Sequence, residues 1–224
     1  MIRRGPTQRM GIVILVSGWS GESALVRLLA AGGRVRIVGQ VLAEPVRQPA
    51  RHLRSALSDS ADGRVFGVLV QPHHIWLRNQ LDADQFVSDL VADGIGVLSL
   101  HRASHEDRGL SRALCGPRAE VLPVGMQIVD PGEIAVFAKE NEYAAEWFGS
   151  VVPERDMRLV FEQDLVDDDA RRRCLERLAA RFTLPASAVP SEPDLPVHET
   201  LWSRVVDPAG VRREVASLVA PGCA

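Results

Sequence analysis

The chain has 224 residues, 46% hydrophobic and 25% charged, which suits one globular domain with a full core. A formal net charge of -3 gives no reason to expect nucleic acid or an acidic membrane as partner. No apolar run is long enough to insert into a bilayer.

Residues 1–10 read as a loose lead-in. Arg3, Arg4 and Arg9 before an apolar run imitate a signal peptide, but Glu22 and the shortness of the run argue against one. The run itself, Ile12 to Val16, is of the kind that forms a strand buried on both faces. The small-residue turn Ser17-Gly18-Trp19-Ser20-Gly21 follows, then an amphipathic helix carrying Ala24, Leu25, Leu28 and Leu29 and stopped by Gly32-Gly33. A strand, a glycine-bearing turn and a helix aim backbone N–H groups and the positive end of a helix at one spot, which suits an anion, most often a phosphate.

Val35–Val41 reads as a second strand, Pro49–Leu57 as a helix and Ser58–Gly63 as a loop. Val65–Val70 is a third strand, ending at Gln71-Pro72-His73-His74. Asp82 caps a helix that runs to Ala92 and stops at Asp93-Gly94. Ile95–Leu100 is a fourth strand closing on His101-Arg102, and a helix carrying Leu110, Ser111 and Leu114 follows. Residues 115–130 are expected to be a loop. Glu133–Phe148 is a helix, Met157–Glu162 a fifth strand and Ala170–Phe182 a basic helix. Residues 185–206 are a Pro-rich loop, and Asp207 caps a last helix with Pro208 in its first turn.

Alternating strands and helices predict a single α/β domain over residues 1–224, in three layers around a parallel sheet of about five strands with right-handed crossovers. Ligands of such sheets sit at the carboxyl ends of the strands. Polar clusters fall there at Ser17–Ser23, Gln71–His74 and His101-Arg102.

The first turn lacks the lysine of the G-x-x-x-x-G-K-[ST] motif, which disfavours a nucleotide kinase or triphosphatase. It also lacks the third glycine of a dinucleotide site. Cys115, Cys174 and Cys223 show neither metal nor redox spacing. Free thiols in a reducing, cytoplasmic compartment are expected, and no metal site is predicted. Of the 26 basic residues only Lys139 is lysine; this reads as codon bias of a GC-rich genome. An anion here must be held by arginine forks or by backbone amides.

In this order the pieces resemble the sulfotransferases that use 3′-phosphoadenosine 5′-phosphosulfate (PAPS), in particular their bacterial carbohydrate and natural-product branch. The residues that carry the resemblance are Gly18-Trp19-Ser20-Gly21-Glu22-Ser23, the strand end His101-Arg102 with Ser111 beyond it, and Phe161-Glu162-Gln163-Asp164-Leu165. The resemblance implies a P-loop-like fold and transfer of a sulfuryl group from PAPS to a hydroxyl of a small-molecule or carbohydrate acceptor, leaving adenosine 3′,5′-bisphosphate (PAP). It implies that Trp19, Ser20, Gly21, Glu22, Ser23 and Ala24 surround the 5′-phosphosulfate, that Arg102 and Ser111 hold the 3′-phosphate, and that His73 or His74 is the general base. The acceptor pocket would lie by Tyr143, Trp147 and the Cys115–Val129 loop, and a homodimer is compatible with the pattern.

The chain departs from that family where the chemistry is most sensitive. Trp19 stands where the family has Arg or Lys, and Glu22 replaces a small hydroxyl residue. A carboxylate ~4 Å from a phosphate costs on the order of 1 to 4 kcal/mol, unless the side chain turns outward. Gln40 stands where an acidic residue often follows the second strand, with Glu44 nearby. Two functions are therefore open: a divergent sulfotransferase whose cation comes from elsewhere, Arg102 being one source, or a relative of that fold that binds a ligand or partner and catalyses little.

Overall fold

Five apolar segments become strands: Ile12–Val16 (β1), Val35–Ile37 (β2), Val65–Val70 (β3), Gly96–His101 (β4) and Arg158–Val160 (β5). They form one all-parallel sheet in the order β2-β3-β1-β4-β5. The computed structural model describes residues 11–31, 33, 35–58, 65–115, 125–152, 157–182 and 201–220. The expectations for residues 1–10, Gly32, 59–64, 116–124, 183–200 and Cys223 lie outside these.

Every residue of β1 is fully buried, as the unbroken apolar run requires of a strand covered on both faces. The helices are Glu22–Ala31 (α1), Pro49–Ser58 (α2), Ala83–Ala92 (α3), His105–Cys115 (α4), Pro131–Val151 (α5), Phe161–Asp164 (α6), Asp168–Phe182 (α7) and Pro208–Val219 (α8). Strand order and right-handed crossovers put α1 on one face of the sheet and α2 and α3 on the other. Accordingly α1 packs against α7, and α3 against α5, giving the three-layer α/β arrangement. The chain passes from one side of β1 to the other between β3 and β4, so the carboxyl ends of β1, β3 and β4 open onto one crevice.

A second apolar cluster, including Leu110, Ile134, Trp202 and Val215, joins α4, α5 and α8. Gly109 lets α4 approach α5: a Cβ there would lie 2.4 Å from the Ile134 carbonyl oxygen. That approach brings Arg108 and Arg112 of α4 beside Glu140 of α5.

The structure corrects several boundaries. β2 stops at Ile37 rather than Val41, because Gly39 turns into the left-handed region at φ 91. Its hydrogen bonds to β3 continue only as far as that glycine, through Val38 N–H to the Gly67 carbonyl and Leu69 N–H to the Gly39 carbonyl. β5 ends at Val160 and residues 161–164 coil into α6, since the Asp164 carboxylate accepts the Val160 N–H at 2.7 Å. After β3 the chain forms a π-helical turn, His74–Arg78, that was not predicted. Within the supposed 185–206 loop, Leu201–Arg204 is a 3-10 turn because Leu201 and Trp202 have a core to enter. Within 115–130, Cys115 closes α4, and Gln127 bridges Val205. α5 begins at Pro131 rather than Glu133, capped by Asp130, whose side chain accepts the Gly132 N–H. Among the described residues no helix is long and apolar enough to cross a membrane, and no group of three or more His, Cys, Asp or Glu is placed to hold a metal ion.

Candidate functional site

The turn between β1 and α1 is built from residues in the left-handed region: Gly18 at φ 74, Trp19 at φ 51 and Gly21 at φ 95. Gly21 is required twice over, since a Cβ would lie 2.1 Å from the Phe161 ring. Trp19 is a bulky residue in a region costly for it. The Glu22 carboxylate offsets that cost by accepting the Trp19 N–H at 3.0 Å and the Ser20 N–H at 2.9 Å. The side chain therefore turns inward, and the amides of the turn already hold an anion. Ser23 and Ala24 lie in the first turn of α1, Ser23 exposed and Ala24 half-buried. Ser20 is fully buried, and its hydroxyl has no hydrogen-bond partner among the described residues.

Sequence reasoning missed the residue that fixes the turn. Arg108 of α4 is 2% exposed and donates to the carbonyls of Ser17, Gly18 and Phe137, the Gly18 bond measuring 3.0 Å. Its guanidinium also lies 3.6 Å from Glu140. Burial brings its pKa down to about 10, so it stays charged at neutral pH. One helical turn on, Arg112 pairs with Glu140 at 2.5 Å and stacks over the rings of Phe137 and Trp19, at 3.8 and 5.0 Å. The signal available in the sequence was the Arg108-x-x-x-Arg112 spacing, which puts both arginines on one face of the helix after β4.

Buried Asn141 of α5 ties the strand ends together. It accepts the Ser17 hydroxyl at 2.8 Å and donates to the Arg102 carbonyl at 3.2 Å. Arg102 itself is 5% exposed; its guanidinium lies 4.5 Å from the Phe161 ring and 3.9 Å from the Glu162 carboxylate. Burial lowers its pKa, while Glu162, Asp107 and Glu22 oppose the shift. Arg102 is thus close enough to the turn to feel Glu22. Ser111, half-buried, shares α4 with Arg108 and Arg112.

On the other side of β1, Asn79 ties the π-helical turn to the segment after β2: its side chain donates to the carbonyls of Leu42 and His74 and accepts the Val46 N–H. His74 is 3% exposed, and its Nδ1 accepts the Gln71 N–H at 3.2 Å. Burial, with His73 and Arg78 nearby, lowers its pKa to about 4. His73, 4.4 Å from His74 in an edge contact, is the exposed member of the pair. Burial of part of its ring lowers its pKa, with Arg78 and Arg112 adding to the shift and Glu140 opposing it. Both rings are neutral at neutral pH.

These elements enclose a cleft of about 960 Å³ whose walls include Trp19, His73, Arg78, Arg112, Glu140 and Tyr143. Gln40 also reaches it. Its described lining carries three arginines, Arg78, Arg108 and Arg112, against one acid, Glu140. The Cys115–Val129 segment adds no wall among its described residues. Trp147 stays behind the lining, edge-on to Trp76 at 5.4 Å and donating to Asp84. The structure thus brings together the first turn, the histidine pair and Tyr143, and adds Arg108, Arg112, Glu140 and Asn141. No protein-family model and no curated protein matches the chain, so the site itself carries the functional argument.

Proposed function

We propose that the chain is a sulfotransferase-like protein of P-loop-like fold. It would bind PAPS at the β1–α1 turn and pass the sulfuryl group to a hydroxyl of a small-molecule or carbohydrate acceptor in the adjoining cleft. The observation that supports this best is the carboxylate on the turn. Two backbone N–H groups at the mouth of a helix converge on an oxyanion, the geometry an anionic donor group needs. The Ser20 hydroxyl, with no hydrogen-bond partner among the described residues, leaves a further polar group in the same turn.

When bound, PAPS supplies a sulfuryl group already activated on a phosphate. The chain must first release Glu22 from the turn, giving up its hydrogen bonds to the Trp19 and Ser20 N–H groups. Arg108 keeps a positive charge directly behind the turn, partly in place of the cation that Trp19 lacks. Arg102 and Ser111 are assigned to the 3′-phosphate. His73, neutral and facing the cleft, takes the proton of the acceptor hydroxyl on a ring nitrogen. His74, with Nδ1 already engaged, buttresses it.

A second reading, a ligand-binding or partner protein on the same fold, is favoured by one observation. The amides are filled by the chain's own Glu22, and each nitrogen of the Arg108 guanidinium already donates to a carbonyl. Thermal unfolding with PAP, PAPS and ATP separates the two. Ligand at ~100 times its Kd raises stability by about 2.7 kcal/mol; PAP and PAPS are expected to do so and ATP is not. Absence of any response to PAP refutes the donor assignment. A response to PAP without labelled sulfate reaching any of a panel of hydroxylated acceptors selects the second reading.

A further inference from the structure

We infer that the cleft takes an aromatic carboxylate, its acid group on Arg78 and Arg112 and its ring against Trp76 and Tyr143. As an acceptor assignment this rests on the sulfotransferase reading; as binding chemistry it needs no donor.

The two arginines are prepared differently. Arg112 is held at one nitrogen by Glu140, sits over the Phe137 ring at 3.8 Å and is still 28% exposed. Its side-chain entropy is spent before a ligand arrives, which favours affinity. Arg78, exposed at the end of the π-helical turn, has no hydrogen bond or ion pair among the described residues. Arg78 and Arg112 both line the cleft, together with His73, so an anion within it is offered both guanidiniums. Glu140 is the single acid of the described lining and is engaged by Arg112. An anion entering here finds more positive charge than the protein has neutralised.

The remaining wall is aromatic. Trp76 meets Tyr143 edge-to-face at 5.8 Å and is braced from behind by Trp147. Tyr143 is 60% exposed and presents ring surface to the opening. Carboxylate pairing with a guanidinium fork gives orientation, and flat rings add contact area at little entropic cost. A neutral sugar would use the rings and leave the charge unanswered; a bare phosphate would use the charge and leave the rings wet.

Calorimetric titration with 6-hydroxy-2-naphthoate, its primary amide and cyclohexanecarboxylate tests this. The naphthoate is expected to bind at least about tenfold more tightly than either. Arg112→Gln and Arg78→Gln should each reduce its preference over the amide to below about threefold, and Trp76→Leu should erase its preference over cyclohexanecarboxylate. Arg78 is exposed and outside the core, so its variant stays informative if Arg112→Gln unfolds. Equal binding of acid and amide, no binding of the naphthoate, or an unchanged acid preference in Arg78→Gln overturns the inference. A PAP titration on the same sample keeps the claims apart. A PAP response without naphthoate binding sinks only the aromatic-acid assignment; naphthoate binding without a PAP response sinks only the donor reading.

Discussion

Replacing Glu22 with alanine sets two effects of one carboxylate against each other. The wild-type side chain accepts the N–H groups of Trp19 and Ser20 at 3.0 and 2.9 Å and sits in the first turn of α1. A carboxylate accepting N–H groups of the turn before a helix contributes on the order of a capping side chain, about 0.5–2 kcal/mol, and its charge at the helix start about 0.3–1 kcal/mol more. A loss of about 1–3 kcal/mol lowers the Tm of a chain this size by roughly 2–12 °C. A phosphate taking those amides must displace the same carboxylate, which while still ~4 Å away repels it by on the order of 1 to 4 kcal/mol. Its removal should therefore tighten PAP by roughly 5- to 1000-fold. Glu22→Ala is thus predicted to melt earlier when empty and to be stabilised more by PAP, as read by thermal scans with and without PAP and by calorimetric Kd. Glu22→Gln, which loses the charge and keeps an acceptor, should fall between. A variant that melts earlier but binds PAP no better, or more weakly, would refute the argument that this turn is an anion site held shut by its own side chain.

Two further outcomes follow from buried groups of the same site. Arg108→Met leaves the carbonyls of Ser17 and Gly18 without that donor, at about 1 kcal/mol or more each; a fall in Tm of roughly 4–8 °C is expected, and one under about 2 °C contradicts the clamp. His74, brought down to about 4 by burial, is protonated more readily in the unfolded chain, where its pKa is ~6.5. Its contribution is complete above the unfolded value and is lost as pH falls from there towards 4, with a slope of up to about 1.4 kcal/mol per pH unit. Denaturant unfolding across that window should show the slope reduced by one proton in His74→Asn; an identical slope rules out a neutral, buried ring.

Local pattern made the alternating elements readable. The apolar runs Ile12–Val16 and Val65–Val70 are covered strands as expected. Asp207-Pro208 opens α8 as the same chemistry predicts. The identical pattern at Asp130-Pro131 opens α5 two residues before the expected start at Glu133, the Asp130 side chain accepting the Gly132 N–H. β2 and β5 came out shorter than read. Apolar content does not reveal a glycine at φ 91 or an aspartate that folds back on its own strand end.

Period, glycine position and capping residues act over a few neighbours, so an α/β chain with a parallel sheet and a turn–helix junction suited to an anion is legible from local pattern alone. Which charges reach that junction was decided only by tertiary structure. Glu22 lies beside the turn in sequence, yet nothing local says whether it points in or out. Arg108 is 90 residues from the Gly18 carbonyl it clamps, and Asn141 is 124 from the Ser17 hydroxyl it accepts. The approach of α4 to α5 over Gly109 brings Arg108 and Arg112 against Glu140. A side chain's role there depends on which groups share its burial, and burial exists only once distant segments have packed.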